Sequence, residues 1–125
     1  MNDQAGAIVI KAIEEASERW VRAFNSGDAA GCAAQYEASA IMKAEPFGTF
    51  EGTEEIQQFW QKLVDDGFSD VEYLDPKIEV VDQHSAILSS GWKMNLAQGI
   101  IHRELWVIQD DGSAKLREDH FEAKG

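Results

Sequence analysis

Three carboxylates have settings that suit chemistry: Glu45 directly before Pro46, Glu104 within an apolar run, and Asp119 in the closing stretch Arg117-Glu118-Asp119-His120-Phe121. A carboxylate takes a proton from carbon when its pKa is raised and when donors await the oxygen that gains charge. Glu45 is the first candidate base. Pro46 fixes its own φ and biases Glu45 toward extended backbone, while Gly48 and Gly52 permit the tight turns that lead to the next helix. Such a residue is expected at the mouth of a pocket, with Phe47, Phe59 and Trp106 as apolar neighbours and Glu104 deeper on a strand. By strict alternation Ile100, His102, Glu104, Trp106 and Ile108 share one face. His102 is then a further acid candidate, although a single strand histidine is more often a packing residue. The plainer readings are a solvated acid before a turn for Glu45 and an ion pair for Glu104.

Composition narrows what these groups act on. The 125 residues are enough for one domain, residues 1–125, with a core that needs no disulfide or metal. Four Trp and six Phe are more than such a core requires, so some are expected to line a cavity or an interface. Trp20, Phe59, Trp60, Trp92 and Phe121 are the candidates, with Phe47, His102 and Trp106 nearby. A net charge of −12 repels phosphate backbones and anionic lipid, which argues against nucleic-acid and membrane partners. His84, His102 and His120 lack the close spacing of a helical zinc motif, and one cysteine rules out a thiolate cluster, so no metal is expected. No glycine-rich phosphate loop is present, so any chemistry is read as cofactor-free. Cys32 reads as a small buried hydrophobe and suits a reducing cytoplasm. The apolar run Ala5–Ile10 is too short and wrongly flanked to read as a signal peptide.

The elements that must position these side chains follow from periodicity. Ile8, Ala12/Ile13, Ala16, Trp20 and Ala23/Phe24 recur at helical spacing, and Asn25-Ser26-Gly27 stops that helix. Asp28 caps a short helix running to about Gln35. A first strand leads through Ala44, and a helix capped by Thr53 presents Ile56, Phe59/Trp60 and Leu63/Val64 before Gly67. The period then changes to two. Val71–Val80 reads as a strand bent at Asp75-Pro76, Ser85–Leu96 as a second, and Ile100–Ile108 as a third. The Asp111-Gly112 turn leads to a last strand near Ala114–Glu122. This order describes an α+β domain with a helix lying across a curved antiparallel sheet. Apolar residues on both faces of the third strand leave one face for a second copy, so a homodimer through the sheet is expected.

Asn25-Ser26-Gly27-Asp28-Ala29-Ala30, Tyr36, Glu45-Pro46-Phe47-Gly48, Gly52-Thr53-Glu54-Glu55-Ile56-Gln57-Gln58-Phe59-Trp60 and Arg117–Phe121, in that order, resemble the nuclear-transport-factor-2-like superfamily. Within it they are similar to the ketosteroid isomerases and SnoaL-like cyclases. The resemblance implies a cone-shaped, cystatin-like fold of three helices packed on a curved antiparallel sheet, with a hydrophobic small molecule in the cone. It also implies Glu45 at the place of the proton-abstracting acid and Glu104 at that of a second, protonated acid. Asp119 is implied on the cup side together with Arg117 and Phe121. Trp20 and Trp60 stand where that family carries tyrosine donors. Two activities remain open: an isomerase, cyclase or lyase working by proton abstraction beside a carbonyl, or a ligand-binding, dimerisation or protein-interaction module without turnover.

Overall fold

The computed structural model describes residues 3–124. Helix α1 spans Asp3–Asn25. Its dry stripe is Val9, Ile13, Ala16, Trp20 and Phe24, whereas Ile8, expected at the head of that stripe, is 60% exposed. Asp28 caps α2 (Ala29–Ala33) by accepting the Gly31 N–H at 2.9 Å. Cys32 on α2 is fully buried, and burial, followed by the charge of Asp28, pushes its thiol up to about 12, so it is an inert packing group.

Helix α3 spans Gly52–Asp65, which puts Thr53 inside the first turn and not at the cap. Glu51 holds the cap position. Glu55, in the first turn, reaches back to accept the Glu51 N–H at 3.0 Å, satisfying one of the donors at the helix start. Gly67, at φ +91°, ends the helix: its N–H donates to Val64 O and the Phe68 N–H to Leu63 O.

The six strands are β1 (Tyr36–Glu45), β2 (Gly48–Glu51), β3 (Glu72–Asp82), β4 (Ser85–Lys93), β5 (Gln98–Ile108) and β6 (Ala114–Ala123). They form one curved sheet in the order β2-β1-β6-β5-β4-β3. The expected meander is present as β3 to β6, and the Asp75-Pro76 bend is a register shift on the edge strand β3. Two features depart from the sequence reading. The glycine-flanked turn after Pro46 carries a short strand, β2, antiparallel to β1; and β1 pairs parallel with β6, so the sheet is not uniformly antiparallel.

Helices α1 and α3 cover one face of this sheet, and the core lies between them. Two irregularities in the β5–β6 ladder decide which side chains enter it. The register shifts between Ile101 and Arg103 and again between Leu105 and Trp106, opposite Arg117. An extra residue in a strand reverses the alternation beyond it. Ile101, Glu104 and Trp106 therefore face the core while His102 faces out, and Leu116, Asp119 and Phe121 face in while Arg117 faces out. This corrects the alternation that grouped His102 with Glu104, and the register that placed Arg117 beside Asp119. Arg117 instead binds Glu37 on the outer surface at 2.7 Å.

Candidate active site

The two ladder shifts bring Glu104 and Asp119 side by side as cross-strand partners on the core face, 3% and 5% exposed. Carboxylates this deep require donors. Glu104 has two: the Tyr73 hydroxyl donates to Oε2 at 3.0 Å and the Trp106 indole N–H to Oε1 at 2.9 Å. Asp119 has one, from the Tyr36 hydroxyl to Oδ2 at 2.6 Å, and its Oδ1 is buried without a partner.

Electrostatics follow from that setting. Burial, and then the charge of Asp119, push Glu104 up to about 8 against the opposing bonds from Trp106 and Tyr73. Burial likewise raises Asp119 to about 7, against the Tyr36 bond. Two facing carboxyls in a dry site hold about one proton between them near neutrality. Tyr36 and Tyr73 are raised well above 10, chiefly by burial and then by the neighbouring carboxylates, so both remain hydroxyl donors. The Trp60 indole lies near enough to the Tyr36 oxygen to oppose its rise slightly, but without hydrogen-bond alignment.

Glu104 and Asp119 open on a cavity of about 30 Å³, room for a water or two. Trp20 from α1, Trp60 from α3, Trp92 from β4, Tyr73 and Phe121 wall it. Trp20 and Trp60 meet edge to face at 4.9 Å, and Trp60 stacks on Phe121 at 5.6 Å. The indole N–H groups of Trp20, Trp60 and Trp92 are all buried and unpartnered. Leaving a buried donor unpaired costs about 1–3 kcal/mol. Three residues that wall this hollow thus carry an unpaired indole donor, and a fourth, Asp119, carries a free carboxylate oxygen.

The remaining sequence candidates lie elsewhere. Glu45 ends β1 on the outer face, its side chain 38% exposed, with Lys43 Nζ at 3.5 Å and His120 Nε2 at 3.2 Å. Its carboxyl is held below the usual range, by His120 first. His102 is also outside, 2.9 Å from Glu122. Phe47 is 58% exposed and packs on Phe59 at 5.9 Å; both line a separate groove with Phe50 and Phe68. Trp106 stands behind Glu104 as its donor. Two of the three acids therefore meet, and the third does not. The donors that sequence reasoning did not assign are Tyr36 and Tyr73. Their one signal was chemical type, since a buried tyrosine brings a hydroxyl that must find a partner.

A SnoaL-like domain model matches residues 17–103, from the middle of α1 into β5. The chain belongs to the SnoaL-like family. Solved structures of the same shape include a putative scytalone dehydratase from Novosphingobium aromaticivorans, with 14% identity, TM-score 0.83, and 99% of this chain and 89% of that one covered. A ketosteroid isomerase-like protein from Erwinia carotovora atroseptica has 16% identity, TM-score 0.76, and 100% and 99% covered. A type 2 hexachlorocyclohexane dehydrochlorinase has 11% identity, TM-score 0.77, and 99% and 90% covered. No curated protein sequence matches. At these identities the likenesses establish the fold of the SnoaL-like chain and agree with the resemblance read from its motifs. Among the described residues no helix is long and apolar enough to cross a membrane.

Proposed function

We propose that this SnoaL-like domain is a cofactor-independent enzyme that moves a proton on a small, mostly apolar, carbonyl-bearing molecule, with Asp119 as base and Glu104 as its protonated partner. The observation that carries the reading is the buried Glu104–Asp119 pair opening on a cavity with one carboxylate oxygen left free. Asp119 Oδ1 takes a proton from the carbon beside the carbonyl, and the C–H electrons pass to the carbonyl oxygen. Indole N–H groups of Trp20 and Trp92 hold the oxyanion. In a conjugated enone, collapse returns that proton from Asp119 to the far carbon; with a leaving group one carbon further on, collapse expels it with a proton from Glu104, and Asp119 then passes its own proton to Glu104. Reaction names among the similar structures, a dehydratase and a dehydrochlorinase beside an isomerase-like protein, share the loss of a proton from carbon, although hexachlorocyclohexane carries no carbonyl. Glu45 has no step in this scheme. Admitting such a molecule requires the indoles to swing aside, because the present hollow holds only water-sized groups.

That same closure favours a second reading: a ligand-binding or dimerisation module whose cup is filled by its own Trp side chains. Exposed Ile41 and Ile100 on the outer face support a homodimer through the sheet in either case. Sedimentation of a monomer at micromolar concentration would remove that part.

Proton washout separates the two readings. A panel of small apolar ketones and enones is incubated with protein in D₂O and followed by proton NMR. The enzymatic reading expects exchange at the carbon beside the carbonyl, slowed by about 100-fold or more in Asp119→Asn. Equal rates in the two proteins, or tryptophan-fluorescence binding without exchange, would leave the module.

A further inference from the structure

The outer face of the sheet carries a second cluster that the reaction above does not use. The geometry points to a transition-metal site formed by Glu45 of β1, His102 of β5 and His120 of β6. One donor atom from each lies within 4.8 Å of the other two. A tetrahedral shell with bonds of about 2.1 Å needs donors about 3.4 Å apart. Rotation of the exposed His102 side chain and the half-buried Glu45 side chain supplies that closure.

Two further observations support a built site. His120 Nε2 is buried and, among the described residues, has no well-aligned hydrogen-bond partner: Glu45 Oε1 stands 3.2 Å away, close enough to lower the Glu45 carboxyl but out of alignment. The ladder shift at His102 is the second. It turns that ring out of the core and sets it 4.8 Å from the His120 ring, centroid to centroid. Glu122, whose Oε1 lies 2.9 Å from His102 Nε2, holds that ring in place and stands outside the group of three donors. Among the described residues two cations oppose the site: Lys43, at 3.5 Å from Glu45, which a metal must displace, and Lys124, at 4.0 Å from Glu122.

Two imidazoles with one carboxylate suit zinc, nickel or copper, whereas magnesium and calcium prefer all-oxygen shells. Three strands contribute the donors, so an ion there would tie β1, β6 and β5 together. No spacing rule in the sequence reaches across residues 45, 102 and 120, which is why the sequence reading expected no metal.

The test is calorimetric titration of the chelator-stripped full chain with zinc chloride, alongside its melting temperature. One ion per chain is expected, with a dissociation constant on the order of micromolar and a higher melting temperature. His102→Ala and His120→Ala should each weaken binding by more than about tenfold. Lys43→Ala should tighten it by releasing Glu45, and His84→Ala, on the β3–β4 turn, should leave it unchanged. Absence of saturable binding, binding kept by the His102→Ala/His120→Ala double variant, or binding abolished by equimolar magnesium would overturn the proposal.

Discussion

The two faces of the β1-β6-β5 sheet carry the same residue types under opposite conditions. On the core side Glu104 and Asp119 sit among indoles and phenols, and burial raises both pKa values. On the outer side Glu45 keeps its water, and His120 and Lys43 lower its pKa. Backbone context does not separate them, since all three are strand residues with a basic or histidine side chain within two positions along the chain. What separates them is which side of the sheet the ladder turns them to, and hence how much solvent competes for the charge.

The largest blow to that contrast is Trp60→Ala. It opens the core side to water and removes contacts with Trp20, Phe24, Phe59 and Phe121. A loss of about 3–5 kcal/mol in urea unfolding is expected, and a loss under 1 kcal/mol would mean the indole is not packing the hollow. Next is Tyr36→Phe, which strips Asp119 of its one donor among the described residues. About 1–3 kcal/mol should disappear at pH 8, where the aspartate is charged, and less at pH 5. An equal loss at both values would show that packing alone is affected.

The pH dependence sharpens the comparison further. Glu104 and Asp119 rise from ordinary values of 4.5 and 3.8 to about 8 and about 7 in the folded chain. Between those limits the native state binds more protons than the unfolded one. Their stabilising contribution is whole below about pH 4 and is lost as pH climbs through 7 and 8. Denaturant midpoints should therefore fall from pH 5.5 to pH 8.5, and Glu104→Gln should flatten the slope. Glu37, Glu45, Asp82 and Asp111 are all lowered, so their opposite contribution is lost only on acidification below the ordinary carboxylate range and does not mask this window. A wild-type midpoint flat across it would contradict the buried pair. The smallest effect belongs to Glu45→Gln, which should leave both the melting temperature and the pH slope essentially unchanged without metal. A variant that altered the slope would tie the outer cluster to the inner pair.

Much of the fold was legible because it is written in local patterns. The stripe from Ile13 to Phe24, the Asp28 cap, the Gly67 stop and the shift to strand period after it depend on neighbours three or four residues away or fewer. The candidate site was legible in part. Glu104 and Asp119 were named, and Trp20, Trp60, Trp92 and Phe121 do wall the cavity. Tyr73 was not named, since its partner lies 31 residues away.

Sequence alone determined the helices, the meander, the acidic surface and the supply of aromatics, because periodicity and composition act over a few residues. Tertiary structure alone decided that β1 runs parallel to β6, that Arg117 and His102 face out, and that Glu45 parts company with the other two acids. The physical reason is the β5–β6 register. A single inserted residue costs the local pattern almost nothing, yet it turns every following side chain from water to core, and it is fixed only when distant strands pair.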